Sequence, residues 1–476
     1  MTSVNKYKYL LGNIGLLTLS QFGSKFLSFF LVPLYTSVLT TEEYGTFDMY
    51  YTTVSLMIPI LCLNISESVL RFSLDKVKNK DEIFSFGLYI SIVGIILFAA
   101  LVFINCKFNI IDLLCQYPWL LIFMFITTSI SQLLSCYARG VDNMRSVAIG
   151  GILSTVVILS LNVYFLLFLQ LGLLGYFYAT IIGALVTCVY FLYTLEIHTA
   201  ITINISKKCR KEMLLYSIPM ILTTVSWWIN SASGRYLVIG YCGIAANGIY
   251  SVSYKLPTLL NLFQSIFNSA WILSAVKEYN EGENKERFFS MTYNYYMMLM
   301  VLVCSLIIVT TQISSSILFA KDFYAAWQYV PCLTISIVFG SMSGYVGGIF
   351  AAEKDTKAFG YTVFYGAIAN VVATSLLVPV IGVMGAAVAT LLSYWLIWQT
   401  RMLWIRKYIT LDIRMFRDYA AFFILCLQAM GLFIKSQVLM YSIEFILLFL
   451  LLLFYGSEIR ALYKRYHLKK SNKTPL

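Results

Sequence analysis

Charge is what this 476-residue chain has least of. Asp, Glu, Lys and Arg make up 12% of it, against 60% apolar residues. A soluble domain carries about 25% charged residues, because a fold in water must cover its core with polar surface. That shortage excludes a water-soluble fold of this length. Histidine is nearly missing too, with His198 and His467 alone. The ten cysteines form no C-x-x-C pair and have no histidine-rich companion, which excludes the usual zinc spacings. Most of them, such as Cys62, Cys188, Cys304 and Cys426, lie in apolar runs and read as buried inert thiols. Walker A, G-x-S-x-G and dinucleotide fingerprints are absent. The longest polar segments are only about twenty residues, too short for an ATPase or glycosyltransferase domain. The chain therefore reads as no enzyme, with no cofactor and no metal. The alternating ten-residue segments of a membrane β-barrel are lacking as well.

What is present is a series of apolar stretches near the 18–20 residues needed to cross about 30 Å of hydrocarbon. The expected fold is an all-α polytopic membrane protein with about fourteen transmembrane helices. Six spans are expected at 12–37, 46–68, 84–106, 117–138, 147–168 and 171–194. Six more follow at 214–237, 246–273, 292–318, 328–352, 358–378 and 382–403, and two others at 418–437 and 439–457. The first apolar run, after Lys6 and Lys8, passes Pro33 and ends at Leu39 without a small-residue cleavage site. It reads as a span rather than a signal peptide.

The basic residues support that count. Of 34 Lys and Arg, 28 fall at the termini and in the even-numbered loops, including Arg401, Arg406 and Arg417 after the twelfth span. Only Lys107, Lys321 and Lys435 fall on the other side. The positive-inside rule then places both termini in the cytoplasm. The basic tail ALYKRYHLKKSNKTPL becomes a juxtamembrane anchor beside anionic membrane lipids, not a nucleic-acid arm.

The chain repeats internally. Gly172, Gly175, Ala179 and Thr180 match Gly382, Gly385, Ala389 and Thr390 at a constant offset of 210. A weaker match sets EEYGTFDMYY against AANGIYSVSY, with Gly45 opposite Gly248 and Tyr51 opposite Tyr254. Six spans per unit is an even number, so the repeats share one orientation and relate by an axis along the membrane normal. The expected organisation is a six-helix lobe at 1–200, a second at 201–410, and two added helices with the basic tail at 411–476. A cavity between the two lobes is transporter architecture.

Charges inside spans usually face a partner or a wet cavity. Lys25 sits in the first span, Arg235 in the seventh and Lys255 in the eighth, directly before Leu256 and Pro257. A cavity lined by these cations would attract an anionic amphiphile, with Arg235 able to hold a phosphate bidentately. Asn230, Ser231 and Ser233 are candidate hydrogen-bonding lining residues. Asp48 and Glu67, in the second span, are candidates for ion coupling or structural pairing. Blander roles stand beside these: Arg235 paired with an acid, Asp48 ending the second span, Glu67 paired with Arg71 one turn on. Glu444, in the last span, reads as peripheral.

The chain resembles the polysaccharide biosynthesis and O-antigen flippases of the multidrug/oligosaccharidyl-lipid/polysaccharide (MOP) exporter superfamily. The opening GNIGLLTLSQFGSKFLSFFLVPLYTSVLTTEEYG carries most of the likeness, with Pro33 and Leu34, the turn at Glu43-Tyr44-Gly45, and the segment Glu67 to Phe72. The stretch Arg235 to Ser251 and the segment KDFYAAWQYVP are also similar. The resemblance implies a MATE-like fold of two six-helix lobes plus two helices. It implies transfer of undecaprenyl-pyrophosphate-linked oligosaccharide from the cytoplasmic to the periplasmic leaflet of a bacterial inner membrane, for O-antigen, capsule or a related glycan. A polysaccharide polymerase and a chain-length regulator are the implied protein partners. Three other functions stay open: a drug/cation antiporter of the same superfamily, which favours cavity carboxylates, a flippase for the peptidoglycan lipid precursor, and a non-transporting membrane partner such as a scaffold for a polymerase.

Overall fold

The computed structural model describes residues 23, 29–75, 77–197, 201–202, 204–281, 284–353 and 355–461. Lys25, His198, His467, most of the first expected span and the end of the basic tail lie outside them. The described chain is helical, with no strand among the described residues. It divides into two compact units. One comprises Met1–Ser251 with Ala320–Phe323, and the other Val252–Phe319 with Tyr324–Leu476.

The first unit begins with α1 (Val32–Val38), α2 (Thr41–Leu61) and α3 (Ile65–Ser73). Next come α4 (Lys80–Phe108), α5 (Pro118–Gly140), α6 (Met144–Val163) and α7 (Gly172–Thr194). The 36-residue α8 (Lys207–Cys242) and most of α9 (Ile244–Ser253) complete it. The second unit contains α10 (Pro257–Glu281), α11 (Lys285–Leu318), α12 (Val330–Glu353) and α13 (Thr356–Ile381). It ends with α14 (Val383–Ile405), α15 (Met415–Gly431) and α16 (Gln437–Phe454).

Ten of these helices are long and apolar enough to cross a membrane, and α2 with α3, bent by 61° at their break, are so only when taken as a pair. The expected second span is therefore broken rather than straight. Pro59 removes a backbone donor, and Leu63 and Asn64 both take positive φ at the break, near +50°. The expected eighth span is broken too, at residues 254–256 between α9 and α10, one residue before the Pro257 ring begins the new helix. The expected thirteenth span is the 17-residue α15.

Caps set where the helices begin. Thr40 accepts from the Glu43 N–H while Glu43 accepts from the Thr40 N–H, a reciprocal capping box that starts α2. Asp48 therefore lies inside the helix and does not cap it. The core of this unit is apolar and joins α3, α4, α5, α7 and the start of α8, through Ile65, Val69, Phe84, Leu133, Phe191 and Met213. In the second unit the centre is α12, most of whose side chains are buried. Trp271 stacks on Tyr345 at 4.3 Å between ring centres and donates its indole N–H to the Tyr345 carbonyl.

The glycines of the sequence repeat occupy matching backbone positions. Gly172 starts α7 with φ +53°, and Gly382 caps α14 with φ +61°. An L side chain is strained at such angles, so both sites demand glycine for the same reason. The second pair of matched glycines meets directly. A Cβ on Gly45 would lie 2.2 Å from the Ile244 carbonyl oxygen, and one on Gly248 would lie 1.9 Å from that of Thr41. The backbones of α2 and α9 can touch only because neither position has a side chain.

Candidate functional site

A polar seam runs between the bent pair α2–α3 and the long helix α8, with α9 at one end. All its residues belong to the first unit. At that end, Asn247 on α9 donates to the Gly45 carbonyl and to Asp48 Oδ2, each at 3.3 Å. Asp48 Oδ1 stands 3.2 Å from Arg235 Nη1, and the same Nη1 donates to Thr52 Oγ1 at 2.9 Å. One position along, Thr53 Oγ1 and the Tyr236 hydroxyl share a 2.8 Å bond. The Trp228 indole N–H donates to Ser55 Oγ at 3.0 Å. Beyond the bend, Asn64 donates to Thr224 Oγ1 at 3.2 Å, and Ser68 to the Met213 carbonyl at 2.9 Å.

The local sequence explains this arrangement. Asp48, Thr52 and Ser55 are spaced i, i+4, i+7 on α2 and share one helical face. Thr224, Trp228 and Arg235 are spaced i, i+4, i+11 on α8 and likewise share one helical face. Two polar stripes on apolar helices satisfy each other, since an unmatched polar group in hydrocarbon is costly.

Arg235 and Asp48 carry the charge of the seam. Their side chains are only 18% and 13% exposed, so little water screens the pair. In this arrangement the guanidinium is already neutralised. An anion reaching Arg235 would have to share or displace the carboxylate.

The other expected residues fall as follows. Asn230 is buried on α8 and donates back to the Ser226 carbonyl. Ser231 and Ser233 likewise donate to carbonyls of their own helix, at Trp227 and Ile229. Lys255 lies in the α9–α10 break of the second unit, and its N–H donates to the Val252 carbonyl. Lys25 lies outside the described residues. Glu67 is half-buried in the first turn of α3, while Arg71 is exposed four residues on. The i,i+4 pair between them does not form. Glu67 faces the Cys136–Arg139 end of α5 instead, and Arg71 extends to the surface. Sequence reasoning missed Thr52, Thr53, Ser55, Trp228, Tyr236 and Asn247. The i, i+4, i+7 run of Asp48, Thr52 and Ser55 was the available signal.

Comparison with known proteins adds the family. No curated protein matches the chain by sequence. Solved structures match its fold over most of its length. An inward-facing multidrug resistance MATE family transporter of the MOP superfamily is 14% identical, with TM-score 0.69, covering 83% of this chain and 95% of its own. The lipid II flippase MurJ in an inward closed conformation is 15% identical, with TM-score 0.68, covering 94% and 99%. A MOP superfamily transporter from Pyrococcus furiosus is 14% identical, with TM-score 0.62, covering 86% and 96%. At these identities the likeness is one of fold, and the fold is that of MATE transporters and MurJ. The profile of the family described as polysaccharide biosynthesis protein matches residues 10–272, a stretch that holds the whole Asp48–Arg235 seam. The chain belongs to the polysaccharide biosynthesis protein family.

Proposed function

We propose that this chain is a flippase that carries undecaprenyl-pyrophosphate-linked oligosaccharide from the cytoplasmic to the periplasmic leaflet of a bacterial inner membrane. The observation that carries the reading is the family match across residues 10–272, joined to a guanidinium inside a spanning helix of that stretch. An arginine at such a depth is kept where it holds an anion or a partner. The cargo supplies the anion, two linked phosphates that a planar guanidinium binds bidentately.

Asp48 makes this an exchange. At rest it neutralises Arg235, and the seam carries no naked charge. When the diphosphate arrives, it competes with Asp48 for Nη1, and Thr52 Oγ1 is released with it. Losing these bonds loosens α2 from α8. Binding of cargo and opening of the seam are then one event, so the differential contact that a conformational change requires is supplied by the cargo itself. Ser231 and Ser233 line the same helix for the glycan, with Asn230 buried beneath them. Lys25 and Lys255 share the phosphate charge. The lobes at 1–200 and 201–410 move against each other, with both termini in the cytoplasm. The pathway is O-antigen, capsule or a related surface glycan, and polymerase and chain-length regulator act on the product.

A lipid-linked cargo also suits the structural neighbour MurJ, a lipid II flippase. The peptidoglycan precursor is thus the second reading. The test uses purified protein in vesicles loaded with a fluorescent undecaprenyl-pyrophosphate oligosaccharide or with lipid II. Transfer of the oligosaccharide lipid across the bilayer, lost in Arg235→Ala, supports the reading. Transfer of lipid II alone replaces it with the second, and transfer of neither overturns both.

A further inference from the structure

The last two helices hold a group that the seam does not use. Glu444 lies at the middle of α16 and is fully buried. Neither carboxyl oxygen accepts a hydrogen bond of ordinary geometry, although the Gln428 amide stands close beside them. The nearest polar side chain, Gln428 on α15, is turned to other acceptors and donors. Its amide N–H donates to the Glu444 backbone carbonyl at 3.4 Å, and its Oε1 accepts from Ser305 on α11 at 2.8 Å. Gly431 leaves the room for the carboxyl, since a Cβ there would lie 2.7 Å from Oε1.

Among the described residues, no cation compensates the group. The elements packed on α16 are α11 and α15. The charged residues of α15 are Arg417 and Asp418, ten or more residues from Gln428, which is about 15 Å along the axis. Those of α11 are Lys285, Glu286 and Arg287, in its first turn and far from Ser305. The titratable groups near the level of Ser305 and Gln428 are the thiols of Cys304 and Cys426, and on α16 itself the phenol of Tyr441 stands one turn before Glu444. Glu444 is the only charged type in α16. A carboxylate in hydrocarbon with no cation and only the Gln428 amide beside it is far costlier to bury than the neutral acid.

We propose that Glu444 is an intramembrane proton-binding site, occupied at neutral pH while α16 is closed on α15 and α11. The proton sits on one carboxyl oxygen. It leaves only when the helices separate around Gly431 and water reaches the acid, so proton release reports the opening of this helix pair. The site is independent of the flippase reading, because it involves no cargo contact.

Infrared spectroscopy of the full chain in lipid nanodiscs tests it. At neutral pH the wild type should show the C=O band of a protonated carboxyl in apolar surroundings, shifted on labelling with 13C-glutamate. Glu444→Gln, the neutral isostere, should lack that band. Its pH dependence should follow a single titration, with protonated acid falling about tenfold per pH unit above its midpoint. Absence of any protonated glutamate band in the labelled wild type at neutral pH would overturn the proposal, and that measurement does not depend on the variant folding. A band that persists unchanged in folded Glu444→Gln would also overturn it, as would loss of the band on adding sodium at constant pH, which would make the ligand a metal cation.

Discussion

Gly45 and Gly248, placed opposite each other by the sequence repeat, meet backbone to backbone in the fold. An added Cβ on Gly248 would sit 1.9 Å from the Thr41 oxygen and 3.1 Å from the Gly45 nitrogen. That is more than an ångström inside ordinary contact, and the obstacle is backbone, which cannot rotate away. Gly248→Ala and Gly45→Ala should each push α2 and α9 apart and lower stability by about 1–3 kcal/mol. Because the two changes open one crossing, their effects should not add. Thermal unfolding of both single variants and the double variant checks this. A double variant that loses the full sum of the two single losses would place the glycines in separate contacts.

The charge exchange proposed at the seam makes its own prediction. Arg235→Ala should stop surface glycan export while membrane abundance stays near wild type. Arg235→Lys should keep part of it, since the charge remains but the fork is gone. Asp48→Asn removes the competitor and should tighten binding of the diphosphate lipid while slowing its release. Surface polysaccharide, normalised to membrane protein, reads the first two, and lipid binding by purified protein reads the third. Weaker binding by Asp48→Asn would mean that the carboxylate orients Arg235 for the cargo and does not compete with it.

Topology follows from the positive-inside asymmetry. Reporter fusions after Lys107 and Lys321 should report the periplasm, and one after Lys211 the cytoplasm. A periplasmic signal at Lys211 would reverse the orientation assigned to the first unit.

How far the sequence reached depends on the kind of information each feature needs. Helix positions follow from the length of apolar runs, so α4 to α8 and α11 to α14 fell where expected. The α2–α3 bend was only hinted at by Pro59, because a left-handed pair at Leu63 and Asn64 depends on tertiary packing. Arg235 announced itself as a charge in an apolar helix. Asp48 reads as a candidate for pairing, but not with Arg235 in particular, because pairing between distant segments is written in the packing. Arg401 illustrates the same limit. Counted with the inner loop, it is instead fully buried near the end of α14. Glu444, which reads as peripheral from its place in the last span, lies at the centre of a three-helix contact.

Arg401 should be a stability residue. Its Nη1 donates to the Ser343 carbonyl at 2.6 Å, Nε to Thr362 Oγ1 at 3.0 Å and Nη2 to the Phe359 carbonyl at 3.4 Å. Its guanidinium also lies 4.4 Å from the Phe359 ring centre. One side chain thus ties α12, α13 and α14. Arg401→Ala should lower stability by on the order of 2–3 kcal/mol, and Arg401→Lys should recover little, since one ammonium cannot span three acceptors. Denaturation in detergent checks both, and a neutral Arg401→Ala would show that the acceptors find water.

The Asp355 contact predicts a pH dependence at the loop before α13. Asp355 caps that helix, accepting from the Ala358 N–H at 3.0 Å, and it accepts from the Tyr408 hydroxyl at 2.5 Å. The Ala358 N–H, and next the phenol, hold the Asp355 carboxyl below its ordinary range. The carboxylate in turn pushes the Tyr408 phenol up. The sign follows from proton counts. Near the ordinary carboxylate value of about 3.9 the unfolded chain binds the proton that the folded chain refuses, so stability rises with pH there. The contribution is complete above that value and is lost as pH falls through the lower, folded one. The group is partly exposed, so the effect should be about 1 kcal/mol or less. Asp355→Asn keeps the capping oxygen and removes only the charge. Its melting temperature should therefore sit below wild type near neutrality, and the two curves should converge on acidification. Tyr408→Phe should show a smaller version of the same convergence, because it deletes one of the donors and leaves the backbone ones. A gap between wild type and Asp355→Asn that stays constant from neutral to acid pH would mean that the carboxylate contributes no linked proton, and that the loop is held by the cap alone.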